Sequence, residues 1–162
     1  MKEILEKISS YNLFNYLLPG VIFVILLSKI TQYSFVQDDV VIGLFLYYFI
    51  GLVISRFGSL IIEPILKKLK FVIFANYKDF VNASKNDEKL EVLSEVNNTY
   101  RTLCSMFILL LAIKIYENIC NKWIFLKENS TTLLIILLII MFLFSYRKQT
   151  GYITKRIGAN RE

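Results

Sequence analysis

Arg56 and Glu63 are the first residues in this sequence whose types and spacing could do chemistry. Arg56 lies inside the apolar stretch VVIGLFLYYFIGLVISRFGSLII, and Glu63 follows that stretch directly. On a helix, a separation of seven residues places the two side chains two turns apart on nearly the same face. There they could pair, either to join helix ends or to line a vestibule. The long Arg56 side chain can instead extend to lipid headgroups without any partner, and we expect this anchoring role.

A second charged pair is formed by Lys114, near the end of another apolar stretch, and Glu117, three residues further on. This spacing predicts an ion pair on the surface of a helix. No Asp or Glu lies in the middle of an apolar stretch. A proton-coupled multidrug exporter of similar size needs a carboxylate embedded in the membrane, so we do not expect this class of protein.

Residue types that commonly carry catalysis or bind metals are scarce. The chain has no histidine, and its two cysteines, Cys104 and Cys120, are sixteen residues apart. On one helix they would be separated by about 24 Å, which is beyond the reach of a disulfide. No nucleophile–base pair, phosphate-binding loop or carboxylate dyad is recognisable. We therefore expect no enzyme activity, no metal and no cofactor.

The elements that carry these residues are apolar and long. The 162-residue chain is 56% hydrophobic, with a mean hydropathy of +0.53, more apolar surface than a soluble domain of this size can hide. Four stretches approach the roughly 20 residues that a helix needs to cross a bilayer. We predict an all-α integral membrane four-transmembrane-helix bundle, one membrane domain over 1–162. The four predicted spans cover about 12–31, 40–62, 102–119 and 131–146. Residues 64–101 form a predicted cytoplasmic insertion.

Basic residues are concentrated on one side of this layout and account for most of the net charge of +6. That side carries Lys2, Lys7, Arg56, Lys67, Lys68, Lys70, Lys78, Lys85, Lys89, Arg101, Arg147, Lys148, Lys155, Arg156 and Arg161, and the other side carries only Lys29, Lys114, Lys122 and Lys127. The positive-inside rule then predicts a multi-pass protein of the bacterial inner membrane with both termini in the cytoplasm. Anionic lipids of the inner leaflet are the expected partners. Acidic residues dilute the positive charge of the middle segment, so we do not expect direct nucleic-acid binding.

The stretch YNLFNYLLPG allows two interpretations of the first span. If the span begins at Pro19, Lys29 lies about 15 Å deep without an acidic partner, which costs about 3 kcal/mol. An amphipathic helix from Lys2 to Leu18 would accompany this arrangement. If the span begins near Asn12, Lys29 reaches the far interface and Pro19–Gly20 becomes an internal kink. We favour the second interpretation, in which Pro19 and Gly20 are a hinge or a contact point.

Small residues recur along the second span, where they would let helix backbones approach closely. The set comprises Gly43, Gly51, Ser55, Gly58 and Ser59. The pattern predicts a packing face but leaves open whether the face packs within the chain or between subunits. Because a four-span chain this short has few internal neighbours, we expect a homo-oligomer, for example a tetramer.

The segment between spans two and three predicts two further helices. Beyond Pro64, apolar residues from Ile65 to Ile73 alternate with lysines at helical spacing, which favours an amphipathic interfacial helix; the alternative is the end of span two. A continuous helix over 87–118 would then extend span three into the cytoplasm. Its narrow stripe of Leu90, Leu93 and Tyr100 needs a partner. That partner could be a second copy, a cytosolic protein or the chain's own preceding helix.

In layout the chain resembles the small four-span membrane proteins of bacterial defence loci, and most closely the membrane subunits of the Kiwa antiphage system. The features that carry the resemblance are YNLFNYLLPG, LKKLKFVIFANYKDFVNASKNDEKLEVLSEVNNTYR and YRKQTGYITKRI. It implies a homo-oligomeric inner-membrane sensor and scaffold that recruits a cytosolic DNA-binding effector. The alternatives are a pore-forming or membrane-disrupting effector that arrests growth and an assembly factor for another membrane complex.

Overall fold

The computed structural model describes residues 10–159, which form helices and connecting loops without any strand in that range. The long helices are α1 (Leu13–Ile30), α2 (Val40–Lys68), α4 (Lys89–Cys120) and α6 (Ser130–Ala159), and the short ones are α3 (Tyr77–Ser84) and α5 (Ile124–Glu128). The four long helices are long and apolar enough to cross a membrane, which confirms the predicted helical class and the number of candidate spans. Lys2, Lys7 and Arg161 lie outside the described residues, as does the start of the alternative helix from Lys2.

The first long helix runs through Pro19 rather than starting at it, and a helical turn at Ser10–Asn12 precedes it. Lys29 lies exposed in its last turn, and Thr31 in extended conformation ends it. The turn before the proline, Leu13–Leu17, is a π turn in which the Leu18 N–H bonds to the Leu13 carbonyl. A π turn widens the helix by one residue. The chain thereby passes the proline, which cannot donate a hydrogen bond, without a break.

The second proline, Pro64, also follows a π turn and also lies within a continuous helix. Gly58–Ile62 form a π turn in α2, and the Glu63 N–H at its end bonds to the Gly58 carbonyl. The helix then continues through Pro64 to Lys68. Lys70 adopts φ 57°, a left-handed conformation that a helix cannot continue through. The amphipathic helix predicted from Ile65 to Ile73 is therefore wrong as a separate element: the part up to Lys68 is the end of α2, which was the alternative.

The core is formed by α1, α2 and α4. Its buried side chains are Phe23, Val24, Leu27, Ile54, Met106 and Leu110. Helix α6 packs on the outside of α2, where the rings of Phe49 and Phe142 stack at 6.1 Å, and of its side chains only Ser145 and Ala159 are buried. Three helices thus pack together and the fourth lies beside them, with most of its apolar side chains exposed.

The long helix α4 begins at Lys89 and ends at Cys120, close to the predicted range of 87–118. At about 48 Å it is longer than a bilayer core is thick, a length that allows the predicted extension beyond a span. The eight-residue helix α3 was not predicted. Asn76 caps its first turn by accepting a hydrogen bond from the Lys78 N–H, and its Val81 is buried.

Candidate functional site

A cluster of charged residues around Glu63 joins three of the long helices at one end of the bundle, which we call the basic end. Glu63 is buried and accepts a hydrogen bond at Oε1 from Lys67 Nζ (2.9 Å) and at Oε2 from Arg101 Nη1 (2.6 Å). Lys148 Nζ, from α6, lies 3.7 Å from Glu63 Oε1. One carboxylate therefore faces three cations, which come from its own helix, from α4 and from α6.

The position of Lys148 follows from the π turn before Pro64. In that register the residue at position 64 would donate its N–H to the Ser59 carbonyl, but proline has none. The Lys148 ammonium takes this place, donating to the Ser59 carbonyl oxygen (2.6 Å) and lying 2.7 Å from Ser59 Oγ. A buried carbonyl without a donor would be costly. Lys148 therefore fixes α6 to the point where α2 lacks a backbone donor.

The pairing of Arg56 with Glu63 that spacing allowed is not formed. Arg56 Nη2 instead donates to the Tyr16 hydroxyl at 3.3 Å. Of the three partners that Glu63 does have, Lys67 lies at the i+4 position, and spacing on the helix could have identified it. Arg101 and Lys148 come from other helices, so no local pattern indicates them. Within residues 10–159, Arg101 Nε is buried without a hydrogen-bond partner.

A second polar cluster, without charge, lies in the core next to the π turn of α1. Asn15, Ser55 and Thr102 come from three different helices and are almost fully buried. Thr102 Oγ1 lies 2.8 Å from Asn15 Oδ1, and Asn15 Nδ2 lies 3.4 Å from Ser55 Oγ. Asn15 Nδ2 also donates to the Tyr11 hydroxyl at 3.2 Å. Burial raises the pKa of Tyr11. Such hydrogen bonds between spans contribute about 0.6 kcal/mol each in lipid.

The small residues of α2 pack inside the chain. A Cβ at Gly51 would overlap the backbone carbonyl of Tyr16, and one at Gly20 would overlap that of Tyr47. A Cβ at Gly58 would meet the Ser105 side chain. Pro19, next to Gly20 in α1, is buried as well. These residues therefore set the distances between the chain's own helices.

The other members of the predicted packing set have different neighbours. Gly43 lies under the ring of Tyr47 in the same helix. A Cβ added at Gly43 would lie 3.3 Å from that ring. Ser55 belongs to the buried cluster with Asn15, and Ser59 binds Lys148. Sequence spacing identified the face, and the structure places its contacts within one chain.

At the opposite end of the bundle, Lys114 Nζ and Glu117 Oε2 are 2.7 Å apart, as the three-residue spacing predicted. Glu117 is buried, however, and its second oxygen accepts a hydrogen bond from the Gln32 backbone N–H at 2.7 Å. This bond ties the loop after α1 to α4. The pair is a structural connection between two elements rather than an isolated surface pair.

The predicted docking stripe lies on the first part of α4. Leu93 and Tyr100 are exposed and Leu90 is partly buried. Helix α3 approaches α4 and α6 with its buried Val81, so it covers only part of the extension. The three stripe residues remain close to one face, as the spacing indicated, with two of them open.

The described part of the chain contains no group of three or more His, Cys, Asp or Glu residues that could hold a metal ion. Cys104 is exposed and Cys120 is buried, each as a free thiol. The arrangement at the basic end can hold helices together and present positive charge. No protein-family model matches the chain, and neither a curated protein nor a solved structure matches it.

Proposed function

We propose that this protein is an oligomeric membrane scaffold and sensor of a bacterial antiphage defence complex, which recruits a cytosolic DNA-binding effector. It lies in the inner membrane with both termini and the basic end in the cytoplasm. The observation that carries the proposal is the exposed apolar stripe on the first part of α4, with Leu93 and Tyr100 open. In water, an exposed apolar stripe on a helix is stabilised by a partner.

The contacts at the base of the extension support transmission of a signal. Arg101 lies on α4 where the extension meets the span, and it binds Glu63 of α2. Glu63 in turn is close to Lys148 of α6. A partner that docks on the extension would thus act on a helix connected to both neighbouring spans through one carboxylate. A partner that binds one arrangement of these helices more tightly than another would shift the equilibrium between the two arrangements.

A pore-forming effector is the second candidate, and the core gives it less support. The buried Asn15, Ser55 and Thr102 side chains bond to one another. A conducting path would therefore have to form between several copies. The two functions differ in outcome, because a scaffold leaves the membrane potential intact on overproduction whereas a pore depolarises the cell.

The stripe offers a matched pair of substitutions. Val92 and Leu93 are neighbours with similar exposure, 59% and 61%, but only Leu93 lies on the stripe. We expect L93D to abolish co-purification of the effector encoded beside this gene, while V92D retains it. Both variants should reach the membrane in normal amounts. Equal recovery of the effector with both variants would refute docking on this stripe, and depolarisation by the unaltered protein would favour the pore.

A further inference from the structure

A groove at the basic end, formed by α2 and α6, has the lining of a lipid-binding site. Its volume is ≈ 390 Å³. It is lined by Leu60 of α2 and by Phe144, Arg147, Lys148, Tyr152 and Lys155 of α6. We call it the basic groove. Three cations and three apolar or aromatic side chains thus share one small surface.

The charges of the basic groove are not all neutralised by the protein. Lys148 is engaged by Ser59 and Glu63. The side-chain cations of Arg147 and Lys155, by contrast, make no hydrogen bond or ion pair with any residue of the range 10–159; the Arg147 backbone carbonyl accepts a hydrogen bond from the Thr150 hydroxyl. Two unpaired cations thus lie on the same face of α6, eight residues or about 12 Å apart along the axis. Long Arg and Lys side chains can bring their charged groups together over such a distance.

The apolar and the charged residues are ordered along the helix. Phe144 is nearest to the middle of α6 and is exposed, and Leu60 faces the groove from α2. Arg147 follows one turn later, and Lys155 lies furthest toward the end. The groove therefore changes from apolar to basic over about 16 Å from Phe144 to Lys155. This is the order in which a phospholipid presents its acyl chains and its phosphate.

We propose that the basic groove binds the headgroup of an anionic phospholipid. Arg147 and Lys155 contact the phosphate, and Leu60 and Phe144 contact the first part of an acyl chain. Basic pockets between spans on the cytoplasmic side bind such headgroups. Inorganic phosphate shares the charge of the headgroup but makes no use of the apolar half of the lining, so the lipid is the better fit. The proposal does not depend on which partner docks on α4.

The consequence for the fold is that a bound lipid would join α6 to α2. Lys148 already holds α6 at Ser59, and the Tyr77 ring of α3 packs at a tilt against Tyr152, with ring centroids 5.8 Å apart. A lipid in the basic groove would add contacts to α2 and α6, on the side where α6 has few protein neighbours. Ligands that bind only the folded state raise its stability.

The test uses the full-length protein in detergent micelles, with thermal unfolding followed while lipid is added. We expect phosphatidylglycerol, but not phosphatidylcholine, to raise Tm in a saturable manner. The double variant R147Q/K155Q should raise the apparent Kd for phosphatidylglycerol at least tenfold. The matched control K68Q/R156Q removes the same charge at the same end without altering the lining, and it should change the Kd less than twofold.

Three results would overturn the proposal. An equal loss of affinity in the two double variants would mean that the net charge alone attracts the lipid. A rise in Tm with sodium phosphate equal to that with phosphatidylglycerol, at matched ionic strength, would identify a site for the free anion. No saturable response to phosphatidylglycerol in the unaltered protein would exclude a lipid site.

Discussion

The cluster of charged residues around Glu63 at the basic end leads to a specific prediction for Glu63→Gln. Glutamine keeps the shape of the side chain and a carbonyl acceptor but removes the one negative charge that residues 10–159 place among Lys67, Arg101 and Lys148. Three cations would then face one another without a counter-charge. We therefore expect E63Q to lower the free energy of unfolding, and we expect the most buried of the three cations to contribute most to this loss.

The magnitude follows from the exposure of the partners. Removing one member of a fully buried ion pair costs about 3–5 kcal/mol. The Glu63 side chain is 8% exposed, but Arg101 and Lys148 are 19% and 26% exposed and regain some hydration. We therefore expect E63Q to cost about 2–3 kcal/mol. Lys67 is 42% exposed, and K67Q should cost only about 0.3–0.5 kcal/mol, as for other pairs of this spacing.

The assay is reversible unfolding of the full-length protein in mixed micelles, followed by far-ultraviolet circular dichroism. The free energies of unfolding of E63Q, R101Q and E63Q/R101Q form a double-mutant cycle with the unaltered protein. Because R101Q removes a cation that E63Q leaves unpaired, the double variant should lose less stability than the sum of the single losses, by about 1 kcal/mol or more.

Two outcomes would refute this reasoning. If K67Q destabilises the protein as much as E63Q, burial does not control the strength of the cluster. If the two single losses add without any coupling, Glu63 and Arg101 do not interact in the folded protein. A third variant, K148Q, separates the roles of Lys148, since it also removes the donor to the Ser59 carbonyl.

Two further predictions concern packing and orientation. Gly51→Ala should cost about 1–3 kcal/mol in the same unfolding assay because its Cβ meets the Tyr16 carbonyl, whereas Gly151→Ala, with nothing within 4 Å of its Cβ, should be neutral or stabilising. Equal effects would contradict the close approach of α1 and α2. In a C104A/C120A background on intact spheroplasts, a membrane-impermeant maleimide should label a cysteine at position 34 and not one at 149. The reverse labelling would invert the proposed orientation.

Hydropathy and spacing predicted the elements that depend on neighbouring residues along the chain. The four long helices, the unbroken course of α4 and the Lys114–Glu117 pair all depend on patterns within a few turns. The interfacial helix was wrong because apolar spacing alone cannot foresee that Lys70 leaves the helix with φ 57°. The contacts of Arg101 and Lys148 with Glu63 depend on how three helices approach one another, which no single segment encodes.

The two prolines show how a local feature produces these long-range contacts. Each π turn begins six residues before its proline, Leu13–Leu17 before Pro19 and Gly58–Ile62 before Pro64. Both are also contact points. The first turn contributes Asn15 and Tyr16 to the joint with α2 and α4, and the second contributes Ser59 to the joint with α6. A wide turn offers side chains and carbonyls that a regular helix would hold differently. Since Pro19 is buried and Thr102 bonds to Asn15, YNLFNYLLPG is better described as a packed joint than as a free hinge, and a movement of α1 away from α4 would have to separate Asn15 from Thr102.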